Sequence, residues 1–506
     1  MLKQKSEEYR GFRTAGIRLT EALSPLIPHL SVDEGLLRGY HAFDKAHIVM
    51  LAEEGFLEYA QAAAMLQALR EMEVEGTEKV RREMGGMHSG EQYLIRRLGE
   101  EVGGRMHLGR SSGDLGSMAW RWCSREGLLS VLEASNDLRA VLLELAGEHI
   151  LTVMPTYTHG KHAQITTLGH AYAGWAAALE RSVHRLLDCY HLNNVSTAGA
   201  TAGTGTSFAF NRQRIADLLG FGGVSKNARD QYSPDNLFHQ LAALAILLND
   251  VAQWCDDILF WGADEIGMMD LADRFCGTSS IMTQKKNFNA AEVPKAIAGR
   301  VIMGLGEAFF HYKGSTMLSV LERSYAAAEL WRAFDDTVAV LRLMGELLRT
   351  VQINRERMRV QAEAHWAQAT DIAAELVEEK GLPWRTAHQI VGIAVRLAYE
   401  RSLSPQRLTP TLIDEAAVEY QGTPVGLSEG ALRRALSPEE FVRSRTLIGG
   451  TAPDEVLRQC RLFLERLEKD RAVVAELRSL QQAAAGRLEA AIDEIIGRAT
   501  AGRNKA

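Results

Sequence analysis

Reactive side chains are most concentrated at 277–287, where two serines and two lysines lie between a glycine and an asparagine. Ser279 and Ser280 offer hydroxyl groups, and Lys285 and Lys286 bring positive charge within a few residues of them. This combination can bind a carboxylate. Nearby cations also favour a deprotonated serine, which can then act as a general base. From composition alone, a lysine-rich surface turn without chemistry is an equally good interpretation.

A second polar cluster, at 109–114, contains Arg110, Ser111, Ser112 and Asp114 at a predicted helix start. An arginine beside two serines there can bind an anion at the helix N-terminus. The same residues also make an ordinary helix cap.

A third cluster, at 154–164, contains Thr158, His159 and Gln164 ahead of an apolar segment. Pro155 is well placed to open the helix that this segment predicts. A Gly-rich segment at 196–206 lacks both a preceding strand and the lysine of a phosphate-binding loop, so we exclude a nucleotide site there.

Length and composition limit the classes of protein to which this chain can belong. A chain of 506 residues predicts two or three packed units. A net charge of −7 argues against a nucleic-acid partner. No apolar run reaches the ~18 residues of a membrane span and no signal peptide is evident, so a cytoplasmic protein without membrane contact is expected. Five scattered cysteines predict neither a disulfide framework nor a zinc site.

Apolar residues recur at three- and four-residue spacing through most of the chain, which predicts an all-α fold. We divide it into an N-terminal helical unit at 1–115, a central bundle at 116–370 and a C-terminal unit at 371–506. Some helices are apolar round most of their circumference, which indicates a bundle shared between subunits. The charged stretch at 456–498 predicts a long helix, preferably packed on its own bundle, with oligomer contacts as the second interpretation. The predicted long helices are 138–149, 170–190, 236–260, 290–310 and 322–358.

The segment 277–287, with Glu292 after it, resembles the signature loop of the fumarase/aspartase superfamily. Residues 284–287 resemble the argininosuccinate lyase branch most closely. The other two clusters resemble that branch's first and second blocks, in the same order. The resemblance implies that Ser279 is the catalytic base, assisted by Lys285 and with His159 in the proton-transfer network. It implies substrate contacts from Arg110, Ser111, Ser112, Thr158, Ser280, Met282, Lys285 and Asn287, and supporting roles for His88, Asp114, Gln164 and Glu292.

The chain departs from the branch at several positions. The superfamily loop usually has proline where Thr283 and Phe288 stand. The first block usually has arginine and asparagine where Ser112 and Gly113 stand, so that these two small residues are expected to make room for a different substrate. The branch's Tyr-Asn-x-Asp-x-Gln-Glu element is also missing from 312–322 apart from its tyrosine.

The resemblance therefore implies a C–N lyase that releases fumarate from an N-substituted aspartate, with an aminopolycarboxylate such as ethylenediamine-disuccinate as the leading substrate. Argininosuccinate is the alternative. A non-catalytic structural homologue or an anion-binding module also stays open, although a silent homologue would be expected to have lost Ser279 or Lys285. A superfamily fold with a central long-helix bundle, a homotetramer with shared active sites, a small dicarboxylate/amine substrate, and no metal or organic cofactor are expected.

Overall fold

Helices make up most of the regular structure in the computed structural model, which describes residues 34–84, 86–314 and 320–503. Side chains are described for the same residues except 34, 320–328 and 502–503. The helices are α1 Leu37–Glu53, α2 Tyr59–Glu75, α3 Thr77–Glu83, α4 Ser89–Leu98, α5 Glu100–Gly103, α6 Ser112–Glu148, α7 Leu168–Asn193, α8 Arg212–Leu218, α9 Asp235–Trp261, α10 Asn289–His311, α11 Val320–Thr350, α12 Arg355–Glu363, α13 Ala369–Lys380, α14 Trp384–Glu400, α15 Pro410–Gln421, α16 Glu429–Leu436, α17 Pro438–Arg443 and α18 Pro453–Arg503.

Short strands and 3₁₀ turns join these helices. The strands are β1 Val153–Thr158, β2 Lys161–Thr167, β3 Met269–Asp270, β4 Gly277–Thr278, β5 Lys286–Asn287 and β6 Gln352–Ile353. They pair antiparallel as β1 with β2, β3 with β6 and β4 with β5. The 3₁₀ turns are Glu34–Leu36, Gly104–His107, Ala228–Tyr232, Asp273–Phe275 and Pro405–Arg407. The all-α prediction is confirmed.

The central bundle consists of α6, α7, α9, α10 and α11, which pack along one another. Aromatic stacking lies at its centre, with the Trp175 ring centroid 5.2 Å from that of Trp254. The predicted helix 138–149 is only the end of the 37-residue helix α6. The predicted helix 322–358 is interrupted, because β6 pairs with β3 and Asn354 then caps α12 by accepting a hydrogen bond from Arg357 N at 3.0 Å.

The 51-residue helix α18 packs on α6, α7 and α2 of its own chain, which confirms the preferred interpretation of 456–498. Its first half contributes Val456 and Leu467 to the core of the central bundle. Its second half contributes Leu488 and Ile492 to the core of the N-terminal unit. The rest of the predicted C-terminal unit has its own apolar core, formed within 372–436. The long helix thus links the first two units.

Strands β1 and β2 form a hairpin at the place where Pro155 predicted a helix start, so that prediction is wrong. Its two-residue turn has positive φ at both His159 (54°) and Gly160 (69°), the backbone of a type I′ turn. This turn matches the natural twist of paired strands. A register shift at Thr156 is stabilised by its hydroxyl, which donates to Gln164 O at 2.8 Å.

Helix α10 carries large apolar side chains that the single chain leaves uncovered. Met303 and Phe310 are each 71% exposed, and Phe309 is 53% exposed. Clustered exposed apolar residues mark an interaction surface. Among the described residues, no helix combines the length and apolar character needed to span a membrane.

Candidate active site

The loop 279–285 is closed at its base by the pairing of β4 with β5. Gly277 fits there because it lies against Asn289, whose side-chain oxygen accepts a hydrogen bond from Gly277 N at 3.0 Å. A Cβ at position 277 would come within 2.5 Å of that oxygen. The glycine therefore allows the loop base to dock on the start of α10.

Ser279 is partly exposed, and its Oγ faces the backbone of its own loop. The oxygen accepts hydrogen bonds from Met282 N at 3.0 Å and from Ile281 N at 3.3 Å. Donors of this kind stabilise negative charge on an oxygen, so they favour the alkoxide form that a serine base requires. The following residues Ser280 and Met282 are exposed.

The two lysines of the loop differ in their surroundings. Lys286 lies against Asp270 at 2.9 Å and Asp273 at 3.0 Å, and its hydrogen bond to Asp270 raises the pKa of its ammonium group. Lys285 is exposed, and its ammonium group has no ion-pair partner in the described part of the chain. Lys286 therefore anchors the loop, whereas Lys285 is free to meet a ligand.

Two other predicted loop residues are on the elements that follow. Asn287 lies in β5 and is partly buried. Glu292 is exposed in the first turn of α10. In the described residues, neither side chain has a recorded hydrogen-bond partner.

The first block forms the N-terminus of α6. Ser111 caps the helix by accepting a hydrogen bond from Gly113 N at 3.0 Å, and it donates to Thr201 O at 2.6 Å. Asp114 completes a capping box with Ser111 N at 2.9 Å and also accepts from Thr201 N at 2.9 Å. Ser111 and Asp114 thus hold the Gly-rich segment 196–206 against the helix start.

Arg110, expected to contact the substrate, points into the protein. Its guanidinium lies 2.7 Å from Asp44, whose other oxygen lies 2.7 Å from Arg81. All three side chains are buried. Paired in this way, Arg110 holds the first block in place.

Ser112 lies at the first position of α6 and meets His88, which precedes α4. The distance from Ser112 Oγ to His88 Nε2 is 3.0 Å. Burial and then the neighbouring His107 lower the pKa of His88 below its ordinary value. His88 therefore reaches the first block through Ser112, and its surroundings disfavour the charged form of its ring.

The expectation that Gly113 makes room for a substrate is wrong. A Cβ at position 113 would lie 3.1 Å from Thr201 O and 3.2 Å from Gln231 Oε1. The space is filled by the chain itself. Any additional room at this block comes from the short side chain of Ser112.

The second block lies on the β1–β2 hairpin. Thr158, His159 and Gln164 are all exposed, with His159 in the turn itself. The hairpin packs on α12 and α17. In one chain these side chains face outwards.

The structure thus places the predicted site residues in three separate groups: the loop, the first block and the hairpin. Within the described residues, no recorded hydrogen bond or ion pair joins one group to another. The loop and the hairpin have exposed members, whereas the members of the first block are buried or only partly exposed.

Several residues of the first block's surroundings were missed by sequence reasoning. They are Asp44, Glu91, His107, Thr201 and Gln231. Asp44 is 66 residues from Arg110 along the chain, so spacing gives no sign of their contact. Thr201 lies in the Gly-rich segment, and a glycine-rich turn of this kind indicates a close backbone approach. The glycine-rich pattern therefore indicates a close contact at Thr201 but not the helix that it meets.

Comparison with known proteins assigns the chain to a family. A family described as lyase matches residues 42–304, and the family of argininosuccinate lyase C-terminal segments matches 366–443. The argininosuccinate lyase of Methanocaldococcus jannaschii is 34% identical over 464 residues, covering 90% of this chain and 93% of the relative. The chain belongs to the argininosuccinate lyase branch of the fumarase/aspartase superfamily.

A second curated relative and two solved structures support the same assignment. The argininosuccinate lyase of Methanosarcina barkeri is 34% identical over 460 residues, covering 90% of this chain and 92% of the relative. A crystal structure of EDDS lyase in complex with formate matches with a TM-score of 0.86 and 29% identity, over 96% of this chain and 97% of that one. A class II fumarase from Schistosoma mansoni, at 15% identity and a TM-score of 0.68 over 86% of this chain and 94% of that one, shares the fold.

Proposed function

We propose that this lyase breaks a C–N bond, eliminating an amine from an N-substituted aspartate and releasing fumarate. The observation that carries the proposal is the environment of Ser279. Its Oγ accepts two backbone hydrogen bonds in an exposed loop, six residues before a lysine without an ion-pair partner in the described residues. A serine so placed is suited to removing a weakly acidic proton.

The chemistry requires a base and fixed donors. Ser279 Oγ takes a proton from the carbon β to the leaving nitrogen, and the electron pair moves into the adjacent carboxylate to give an aci-carboxylate. Return of that pair forms the C=C bond of fumarate, while the electrons of the C–N bond leave with the amine. Hydrogen bonds to the dianionic aci-carboxylate must become stronger as negative charge develops on its oxygens. Ser280, Lys285, Asn287, Thr158 and Ser112 supply them in this proposal.

Two residues have roles beyond binding. His159 relays the proton that the leaving amine takes up, since an imidazole has one nitrogen that can accept a proton and one that can donate a proton. Ser112 is oriented by His88, which lies 3.0 Å from its hydroxyl.

The active site is completed in a homotetramer, with the loop, the first block and the hairpin coming from different subunits. No hydrogen bond or ion pair joins the three groups within the described part of one chain. The loop and the hairpin have exposed members, and Ser112 of the first block is partly exposed. The uncovered apolar face of α10, with Met303 and Phe310, gives a surface on which helices of other subunits can pack.

The substrate we favour is an aminopolycarboxylate such as ethylenediamine-disuccinate. Ser112 and Gly113 lack the guanidinium and amide groups that the branch usually presents at these positions. The structural match to EDDS lyase, at a TM-score of 0.86, also supports this choice of substrate. Argininosuccinate is the second candidate, favoured by curated relatives such as that of Methanocaldococcus jannaschii.

Amine addition to fumarate distinguishes these substrates. The purified chain is incubated with fumarate and, separately, with ethylenediamine, arginine and a set of other amines. Loss of fumarate absorbance is followed, and products are identified by mass spectrometry. We expect ethylenediamine to be added faster than arginine by about tenfold or more, since a missing charged contact costs about 1.5–3 kcal/mol.

The outcomes of this assay distinguish the candidate functions. Preference for arginine would replace ethylenediamine-disuccinate by argininosuccinate. No adduct with any amine, together with no fumarate release from ethylenediamine-disuccinate or from argininosuccinate, would favour a structural or anion-binding protein. The Ser279→Ala variant serves as the inactive control and measures any uncatalysed loss of fumarate.

A further inference from the structure

Two histidines and a glutamate converge beside the first block. His88 and Glu91 are three residues apart at the start of α4, and His107 ends the 3₁₀ turn Gly104–His107. An i, i+3 spacing puts two side chains on one face of a helix. One nitrogen or oxygen atom from each of the three side chains lies within 4.8 Å of the others.

We propose that His88, Glu91 and His107 form a binding site for a divalent transition-metal ion of the zinc class. Two imidazole nitrogens and one carboxylate oxygen make a three-ligand set that Zn²⁺ accepts, with a fourth position left for water or an anion. The proposal does not depend on the reaction proposed above.

The distances suit such an ion. Metal–ligand bonds of about 2.0–2.2 Å place neighbouring tetrahedral ligands about 3.3 Å apart. His107 Nδ1 lies 3.3 Å from Glu91 Oε2, and His88 Nδ1 lies 3.9 Å from the same oxygen. A small rotation of the His88 ring is enough to complete the set.

The Nε2 nitrogen of His88 already has a hydrogen-bond partner. Its Nε2 lies 3.0 Å from Ser112 Oγ, which orients the ring with Nδ1 towards Glu91. Metal-binding histidines usually hold a second partner through the other ring nitrogen. An ion at this site would therefore be linked to Ser112 through the two nitrogens of one ring.

The alternative is a hydrogen-bonded cluster without an ion. His107 Nδ1 is in close contact with Glu91 Oε2 at 3.3 Å but is not well aligned for a hydrogen bond, and His88 Nδ1, at 3.9 Å from the same oxygen, is too far for one. His107 Nδ1 is buried, and no well-aligned hydrogen bond satisfies it among the described residues. A buried polar atom of this kind calls for a ligand.

The positive charge near the cluster is partly offset by carboxylates. Arg110 lies nearby and acts on His88, but its guanidinium is 2.7 Å from the Asp44 carboxylate. The Glu91 carboxylate, 3.3 Å from His107 Nδ1, supplies an acidic oxygen inside the cluster. The side chains of His88, Glu91 and His107 are 20–30% exposed, so an ion can enter from solvent.

The test is metal binding by the full-length chain after treatment with a chelator. Zn²⁺ is titrated calorimetrically, and Co²⁺ is used as a spectroscopic probe whose visible bands report four-coordination. We expect about one ion per subunit and tetrahedral Co²⁺ bands. Glu91→Gln and His107→Gln should each weaken binding by about 10–100-fold and remove those bands.

The matched control is His191→Gln, which alters an exposed histidine at the end of α7 outside the cluster. It should leave the tight site unchanged. Circular dichroism of each variant checks folding. Stoichiometry well below one, or wild-type affinity in both Glu91→Gln and His107→Gln, would overturn the proposal. If one of these variants misfolds, the other decides the result.

Discussion

Replacing Ser279 by alanine is expected to lower kcat by about 10²–10⁴-fold, the usual contribution of a positioned general base. The substitution removes the only atom proposed to accept the substrate proton. It leaves the backbone pairing of β4 with β5 intact, so the loop keeps its base. KM should change much less than kcat, because the serine acts on the reacting carbon in the transition state. Steady-state kinetics in the elimination direction measure both constants.

Thr283→Ala is the control for this experiment. Thr283 is an exposed hydroxyl residue of the same loop without a proposed role. It should retain nearly full activity, and size-exclusion chromatography should give the same assembly for both variants. If Ser279→Ala kept most of the wild-type kcat, the base would have to be assigned to another group.

Asp44→Asn is expected to destabilise the protein by about 3–5 kcal/mol, the range for breaking a buried ion pair by changing one partner. The Asp44 side chain is 1% exposed and lies between Arg81 and Arg110. Burial raises the pKa of Asp44, but the two guanidinium groups outweigh it and hold the pKa below its ordinary value. The amide would leave two buried positive charges without a counter-charge.

An exposed ion pair of the same type provides the control. Asp137 is 79% exposed and lies 3.2 Å from Arg471, so Asp137→Asn should cost about 0–1 kcal/mol. Thermal and urea unfolding are compared at one protein concentration, since assembly makes the midpoint concentration-dependent. Equal midpoints for the two variants would show that the Asp44 cluster contributes little to stability.

Much of the fold can be predicted from local patterns. The period of apolar residues is a local property, so the long helices were found, including the one at 456–498. The hairpin was missed because its turn is His159–Gly160 and not one of the Asn-Gly or Asp-Gly pairs that signal a type I′ turn. Pro155 suggested a helix start, yet it stands in β1, where Pro can occupy an edge strand.

The site could be predicted only in part. Its reactive residues are recognisable because they are contiguous in the chain, as at 277–287. Their orientations depend on partners that are distant in sequence. Asp44 turns the Arg110 guanidinium inwards, and Thr201 fills the space beside Gly113. Spacing along the chain contains no information on either contact.

In the homotetramer proposed above, each active site takes its loop and its hairpin from different subunits. Two variants test it, Ser279→Ala and His159→Asn. Asparagine tolerates the positive φ of position 159, so the turn should persist while the imidazole is lost. Each variant alone is expected to have little activity.

The decisive measurement is the activity of mixed tetramers made by co-expressing the two variant chains with different affinity tags. If loop and hairpin come from two chains combined at random, about one quarter of the sites receive both native groups. We therefore predict that tetramers carrying both tags recover up to about a quarter of wild-type activity, far above either parent. Mixed tetramers no more active than the parents would contradict the shared site.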